Sequence, residues 1–286
     1  MIDILPQKYF RSLNKEENKF RFLIAHLLVK SHTCFLFRIK RLNYILQFSP
    51  TSFAKRLWIN KHLILSDEVF IQDYLKLGDF FVDIGGNIGT HALLAASIVG
   101  YNGKVITFEA HPRTYKYLNK NILLNNFHNV ITHNFALGDK SGFLKFSDTS
   151  YDDSTNHVET TNVNGIQVEV KILDDICSTD KIDLIKVDVE GYEKFVFQGG
   201  IKTLKNTQCI IFESSKRNFD RYDYSTQTII DLLHQNDFSI FGIIKFKKTI
   251  YPLVEKHISY STENLIAIKD IDKFVKRTSY SIEEIS

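Results

Sequence analysis

One segment constrains this chain more than any other: Phe80-Phe81-Val82-Asp83-Ile84-Gly85-Gly86-Asn87-Ile88-Gly89. It reads as a buried strand, a glycine turn and the opening of a helix, and the next apolar run ends in Phe108-Glu109, a second strand tipped by an acid. Glycine at Gly85 and Gly86 lets the backbone take φ > 0 and approach a ligand closely, while a helix opening near Ile88 offers unpaired N–H groups to an anion. An acid one strand later accepts from both hydroxyls of a ribose in doubly wound α/β folds. The pattern outlines a nucleotide-cofactor site.

The spacing selects among cofactors. Gly85, Gly86 and Gly89 do not fall on the Gly-x-Gly-x-x-Gly template of dinucleotide folds. What stands is Asp-x-Gly-x-Asn-x-Gly, with Asp83 just before the turn, where a carboxylate repels a pyrophosphate but suits an ammonium group. S-adenosylmethionine carries one, with a carboxylate beside it. Asp83 on the amino side, the helix N-terminus on the carboxylate and Glu109 on the ribose then account for its polar parts.

Beyond this motif, strands and helices alternate, which argues for a mostly parallel sheet covered on both faces. Strands are expected at Phe80–Ile84, Lys104–Glu109, Val130–Phe135, Ile182–Val187, Cys209–Phe212, Phe238–Ile244 and Asn264–Ile268, seven in all, with the last two antiparallel. Helices are expected at Pro112–Asn125, Glu190–Phe197 and Ser225–Gln235. The polar stretch Ser147–Asn164 has the composition of a loop or lid, and Tyr151, Asp152, Asp153, Asn156 and His157 are placed to hydrogen-bond an acceptor. Ahead of the sheet, helices are expected at Lys15–Lys30 and His32–Phe48. The expected organisation is a basic helical extension over 1–65, a catalytic domain over 66–270 and a tail over 271–286.

A second constellation lies at the end of the fourth of these strands, in Ile185-Lys186-Val187-Asp188-Val189-Glu190-Gly191. Alternation along an extended segment sends Lys186, Asp188 and Glu190 to one side, on the carboxyl edge of the sheet where ligands bind. Glu213 ends the neighbouring strand. The alternatives are a structural Lys186–Asp188 pair and a Glu190 that only caps the next helix. An alcohol acceptor needs its proton removed, so Asp188, Glu190 and Glu213 are candidate bases, with Lys186 orienting or polarising. His111 and His157 are further candidates, and no spacing demands a metal.

Together, Asp83 to Gly89, Phe108-Glu109-Ala110-His111-Pro112, Asn129-Val130 through Ala136-Leu137-Gly138-Asp139, and Lys186-Val187-Asp188-Val189-Glu190-Gly191 resemble the FkbM family of S-adenosylmethionine-dependent methyltransferases. Alanine is usual in that family where this chain has Gly86, a small-for-small change expected to preserve the turn, and proline where it has Ala110, a departure expected to loosen the adenine side of the pocket and leave the ribose acid in place. The resemblance implies a class I methyltransferase, Rossmann-like α/β fold and O-methylation of a sugar, glycan or natural-product hydroxyl. It also implies a cofactor site at Asp83, Gly85, Gly86, Asn87, Gly89, Glu109 and Ala136. Competing readings are a nucleotide-dependent oxidoreductase and a non-catalytic, membrane- or complex-associated module with a cofactor fold.

Charge adds a separate constraint. Through His62 the chain carries 12 Lys and Arg against 3 Asp and Glu, and the remainder 24 against 30. The basic residues sit beside bulky apolar ones, as in Phe20-Arg21-Phe22-Leu23-Ile24. That suits either a helical cap packed on the catalytic domain or a pair of helices resting on a membrane surface. The acidic remainder and the absence of a base-binding tetrapeptide of the Asn-Pro-Pro-Tyr type argue against a nucleic-acid partner. Cys34, Cys177 and Cys209 are odd in number and widely spaced, which suggests neither a disulfide framework nor a zinc site. With no leader pattern and no apolar run of membrane-spanning length, a cytoplasmic protein, peripheral at the inner membrane surface in the second reading, is expected.

Overall fold

In the computed structural model, residues 18–149, 155–160, 165–244, 247–253 and 262–283 are described. Helix Lys19–Lys30 opens on Asn18, whose side chain accepts from the Arg21 N–H. The segment expected as a second helix is instead a 3-10 turn, Cys34–Leu36, followed by a hairpin of β1 (Arg38–Lys40) and β2 (Ile45–Gln47). The cause is a period of two: Ile39 and Leu46 are buried while their neighbours face outward, an alternation that short apolar runs share with helical spacing. Helices Ser52–Ile59 and Ser66–Tyr74 then lead into the sheet.

The sheet begins with β3 (Phe80–Ile84), β4 (Lys104–Phe108) and β5 (Val130–His133), linked by helices Thr90–Val99 and Pro112–Asn125. A small three-stranded sheet follows, made of β6 (Ala136–Leu137), β7 (Gly142–Ser147) and β8 (Gly165–Lys171). The chain returns to the main sheet with β9 (Ile182–Val187), β10 (Thr207–Ser214), β11 (Ser239–Ile243), β12 (Thr249–Pro252), β13 (Glu263–Ile268) and β14 (Ser281–Ile282).

Nine strands lie in the order β14-β12-β11-β13-β10-β9-β3-β4-β5. The seven expected strands form one contiguous block of it, parallel from β5 through β10, with β13 antiparallel to both β10 and β11. The other two come from β12 and from residues 271–286. That segment, expected as a tail, supplies helix Ile271–Thr278 and β14. Strands β3, β9 and β10 are buried along nearly their whole length because helices cover both faces of a parallel sheet.

On one face, Phe81, Leu184 and Ile211 pack with helix Thr90–Val99 and with Phe22, Ala25, Cys34, Leu46, Phe48 and Leu57 of the N-terminal segment. On the other, Val82, Ile185 and Phe212 pack under Val196, Leu204 and Ile229. The N-terminal segment is therefore part of the main core. The reversal of strand order falls between β3 and β9, which puts the ligand crevice at their carboxyl ends.

Candidate active site

The turn after β3 brings the glycines under the crevice. Gly85 sits at φ +90°, and a Cβ there would lie 1.9 Å from the Asp188 carbonyl oxygen. The Gly85 and Gly86 N–H groups both donate to the Phe108 carbonyl, at 3.0 and 2.8 Å, which locks the turn to β4. A Cβ on Gly86 would stand 2.1 Å from the Thr107 hydroxyl, which donates to Asp83 at 3.1 Å. Alanine and glycine are thus not interchangeable at this turn, because Thr107 fills the space a methyl would need.

A cavity of about 400 Å³ opens above it. Of the site residues expected from sequence, Gly85, Asn87, Glu109, Ala136, Lys186, Asp188, Glu190 and Glu213 line its wall, whereas Asp83, Gly86 and Gly89 lie outside the lining. Asp83 is fully buried one layer beneath the turn. Burial raises its pKa against the opposing pull of His91 and Lys186, and its Oδ1 has no hydrogen-bond partner. Gly89, at φ +93°, caps helix Thr90–Val99.

Glu109 is held by the backbone: Oε2 accepts from the Asn87 N–H at 2.9 Å and Oε1 from the His111 N–H at 2.8 Å. A carboxylate has about four acceptor positions, the capacity by which such an acid receives both hydroxyls of a diol. Around it stand Phe108, Ala110, Phe135 and Leu137, an apolar slot suited to a flat ring.

At the end of β9, the buried Lys186 ammonium donates to Asp188 Oδ2 at 2.9 Å. Burial opposes the Lys186 charge, but Asp188, Asp67 and Asp83 around it outweigh burial and push its pKa up, so it stays an ammonium. Beyond Asp188 the chain turns through two left-handed residues, Glu190 (φ +54°) and Gly191 (φ +103°). This turn delays the helix expected from Glu190 until Glu193. The N-cap, Tyr192, makes no side-chain cap bond, and Glu193 instead braces the turn ahead of the helix, its Oε1 accepting from the Val189 and Gly191 N–H groups. Glu190 is left facing the cavity. Its Oε2 accepts from the Asn218 amide at 3.0 Å, and the same amide lies 3.4 Å from Glu213 Oε2. Burial, then the neighbouring carboxylates, raise Glu190 to about 8 and Glu213 to about 9.

Asp188, Glu190 and Glu213 each bring an oxygen within 4.8 Å of the others, a spacing that could hold a divalent cation. The histidines expected as alternatives lie off the wall: His111 meets Asp148 at 3.2 Å and His157 lies 3.9 Å from Glu159. Asn156 does line the cavity; Tyr151, Asp152 and Asp153 fall outside the described residues.

Some lining residues carried no motif. Phe53, Arg56 and Asp67 arrive from the two helices before β3, and Glu263 and Asn264 from the start of β13. Asp67 pairs with the buried His91 at 2.8 Å; burial disfavours the imidazolium, yet Asp67 outweighs it and raises His91. No local signal ties Arg56 or Asp67 to the acids Asp188, Glu190 and Glu213, more than a hundred residues downstream.

Residues 83–240, more than half of the chain, match the family model of the methyltransferase FkbM domain. The chain belongs to the FkbM methyltransferase family. Among its relatives are Methyltransferase 1 of Beauveria bassiana, 32% identical over 144 residues (42% of this chain, 57% of the relative), and the hexuronic acid methyltransferase AglP of Haloferax volcanii, 27% identical over 138 residues (47% and 55%). The 2-O-methyltransferase NoeI of Sinorhizobium fredii is 41% identical over 71 residues, 24% of this chain and 29% of the relative. The FkbM chain thus spans just over half the length of the first two relatives. A crystal structure of methyltransferase FkbM from Methylobacillus flagellatus superposes with a TM-score of 0.43 and 15% identity, over 91% of this chain and 58% of that one.

Proposed function

We propose that this FkbM-family chain transfers a methyl group from S-adenosylmethionine to a hydroxyl of a sugar or glycan, or of a sugar-like natural product. One observation carries the reading: a single cavity joins the diol-accepting Glu109 and its apolar slot to the cluster of Lys186, Asp188, Glu190 and Glu213. The residues fit the cofactor, with Glu109 for the ribose, the Phe108 and Phe135 slot for the adenine, and the N-terminus of helix Thr90–Val99 with Arg56 for the carboxylate. The unpartnered Asp83 Oδ1 lies under the turn where an ammonium would sit. Bound S-adenosylmethionine supplies an electrophilic methyl on a sulfonium. The names of two relatives, which speak of a hexuronic acid and of 2-O-methylation, support a sugar acceptor.

The chain's own groups then hold and deprotonate the acceptor. Asp188, fixed by the Lys186 ammonium through one oxygen, has the other for the acceptor O–H and is the proposed base. Glu190 and Glu213 keep their protons near neutrality and donate to neighbouring acceptor oxygens. Alignment supplies much of the rate, and a positioned base contributes about 10²–10⁴-fold. Calorimetry should show S-adenosylmethionine binding to the native chain and to Asp188→Asn, but not to Glu109→Ala. Labelled-methyl assays on uronic acids and neutral sugars should lose at least about 100-fold of turnover in Asp188→Asn. Normal turnover in that variant would remove Asp188 as base; equal cofactor binding by native chain and Glu109→Ala would sink the cofactor placement.

A further inference from the structure

A second cavity, of about 780 Å³, lies in the N-terminal region, and its wall is basic: Arg21, Arg38, Lys40, Arg41, Lys61 and His62 all line it. Glu68 is the one acid on that wall among the described residues, and it is already engaged by Arg41 and the Tyr44 hydroxyl. Arg21 is also occupied, stacked 4.2 Å over the Trp58 ring and bonded to the Trp58 and Ile59 carbonyls. Arg38 bonds the carbonyls of Phe35 and Phe37. The Lys40 and Lys61 ammonium groups have no hydrogen-bond or ion-pair partner among the described residues, so the wall carries more positive charge than its one acid, held by Arg41, offsets.

Large apolar side chains surround these cations. Leu42 and Ile64, both on the wall, are 48% and 61% exposed. Leu36 is 79% exposed, and Phe37, 41% exposed, sets its ring 6.4 Å from that of Trp58. Exposed aliphatic groups gain nothing from a hydrated polyanion such as nucleic acid, but they gain from the headgroup and acyl boundary of a bilayer, where cations meet phosphates. No helix among the described residues is long and apolar enough to cross a membrane, so such a contact would be peripheral.

We infer that this face docks on an anionic lipid bilayer, with headgroup phosphates in the basic cavity and Leu36, Phe37, Leu42 and Ile64 at the acyl boundary. The helices that carry it also line the candidate active site. Ser52–Ile59 gives Phe53 and Arg56 to the one cavity and Leu57 and Trp58 to the other; Ser66–Tyr74 gives Ser66 and Asp67 to the one and Glu68 and Val69 to the other. A docked chain would hold its active site within two helices of the membrane, the position required for an acceptor tethered to lipid. The inference is independent of the methyl-transfer reading, since it is tested by binding alone.

The test is flotation of the full chain with phosphatidylcholine vesicles, with and without 30% phosphatidylglycerol. Anionic vesicles should bind it and neutral ones should not, with binding falling as salt is raised. Lys40→Glu/Lys61→Glu should cut partition by at least about 25-fold, at roughly fivefold for each cation lost, and Ile64→Ser should cut it further. A charge-matched control outside the cavity, Lys140→Glu/Lys202→Glu, should leave it near native, with circular dichroism showing all variants folded. Equal partition to both vesicle types, equal losses in the two double variants, or displacement by millimolar inorganic phosphate would overturn the inference. So would binding to a 20-mer oligonucleotide without vesicle binding.

Discussion

Glu193 is a carboxyl group with no water around it. Its side chain is fully buried, and burial pushes it up to about 7 although the Val189 and Gly191 N–H groups pull the other way. An acid whose folded pKa lies above its unfolded value binds more protons in the native state, so the contribution of Glu193 to stability is largest below about 4.5 and declines as pH rises to about 7. The decline attributable to this one group is on the order of 3 kcal/mol. Glu193→Gln keeps an oxygen for the two N–H groups and places an amide near the Tyr224 hydroxyl, now 3.4 Å from Oε2. Urea unfolding at pH 5 and pH 8 should therefore show the variant losing less stability than the native chain between the two. An equal loss in both proteins would mean that Glu193 ionises as freely in the fold as out of it. At this scale Lys186 and Asp188 were legible from the strand pattern, whereas Glu190 reaches the cavity through the turn after the strand, which alternation does not describe, and the hold of Glu193 on that turn carried no signal. Left-handed geometry at Glu190 and Gly191 is what shifts the helix start by three residues.

Among elements, the hairpin β1–β2 shows how a short strand is held without a sheet. Its outer edge pairs with side chains of helix Pro112–Asn125. The Gln47 N–H donates to Asn121 Oδ1, and the Ile45 N–H and carbonyl engage Asn125 at 2.8 and 2.7 Å. Asn121 is fully buried and its amide also donates to the Ile88 carbonyl at 2.8 Å, which ties the hairpin to the cofactor turn. Asn121→Leu leaves an N–H and a carbonyl unpaired in the interior and should cost roughly 2–4 kcal/mol. A thermal melt showing an unchanged Tm would mean that water or a local shift satisfies both groups. Period-two alternation over three residues is too short to compete with the apolar recurrence of a helix in the same window. The hairpin is therefore decided by partners about 75 residues away.

For the whole molecule, the question is whether the N-terminal region is an appendage or part of the core. Tyr44, Leu46, Phe48 and Leu57 are buried in the cluster that holds Phe81, Leu184 and Ile211 of the central strands. At 1.5–3 kcal/mol for each such side chain, their loss forfeits roughly 6–12 kcal/mol, the size of the whole stability of a typical domain. A chain beginning at Leu63 should consequently lose its cooperative unfolding transition and bind a hydrophobic dye; a soluble truncation with a sharp melt would show that the sheet face is stable uncovered. The alternating strands, the glycine turn and the acid after β4 follow from the sequence by itself, because burial on both faces and turn geometry act within a few residues. Which carboxylates meet, where Arg56 and Asp67 stand, and whether residues 18–60 cap the sheet were decided only by the tertiary structure. Those contacts join residues far apart in the chain, and strand order and helix packing, not local preference, bring them within hydrogen-bonding distance.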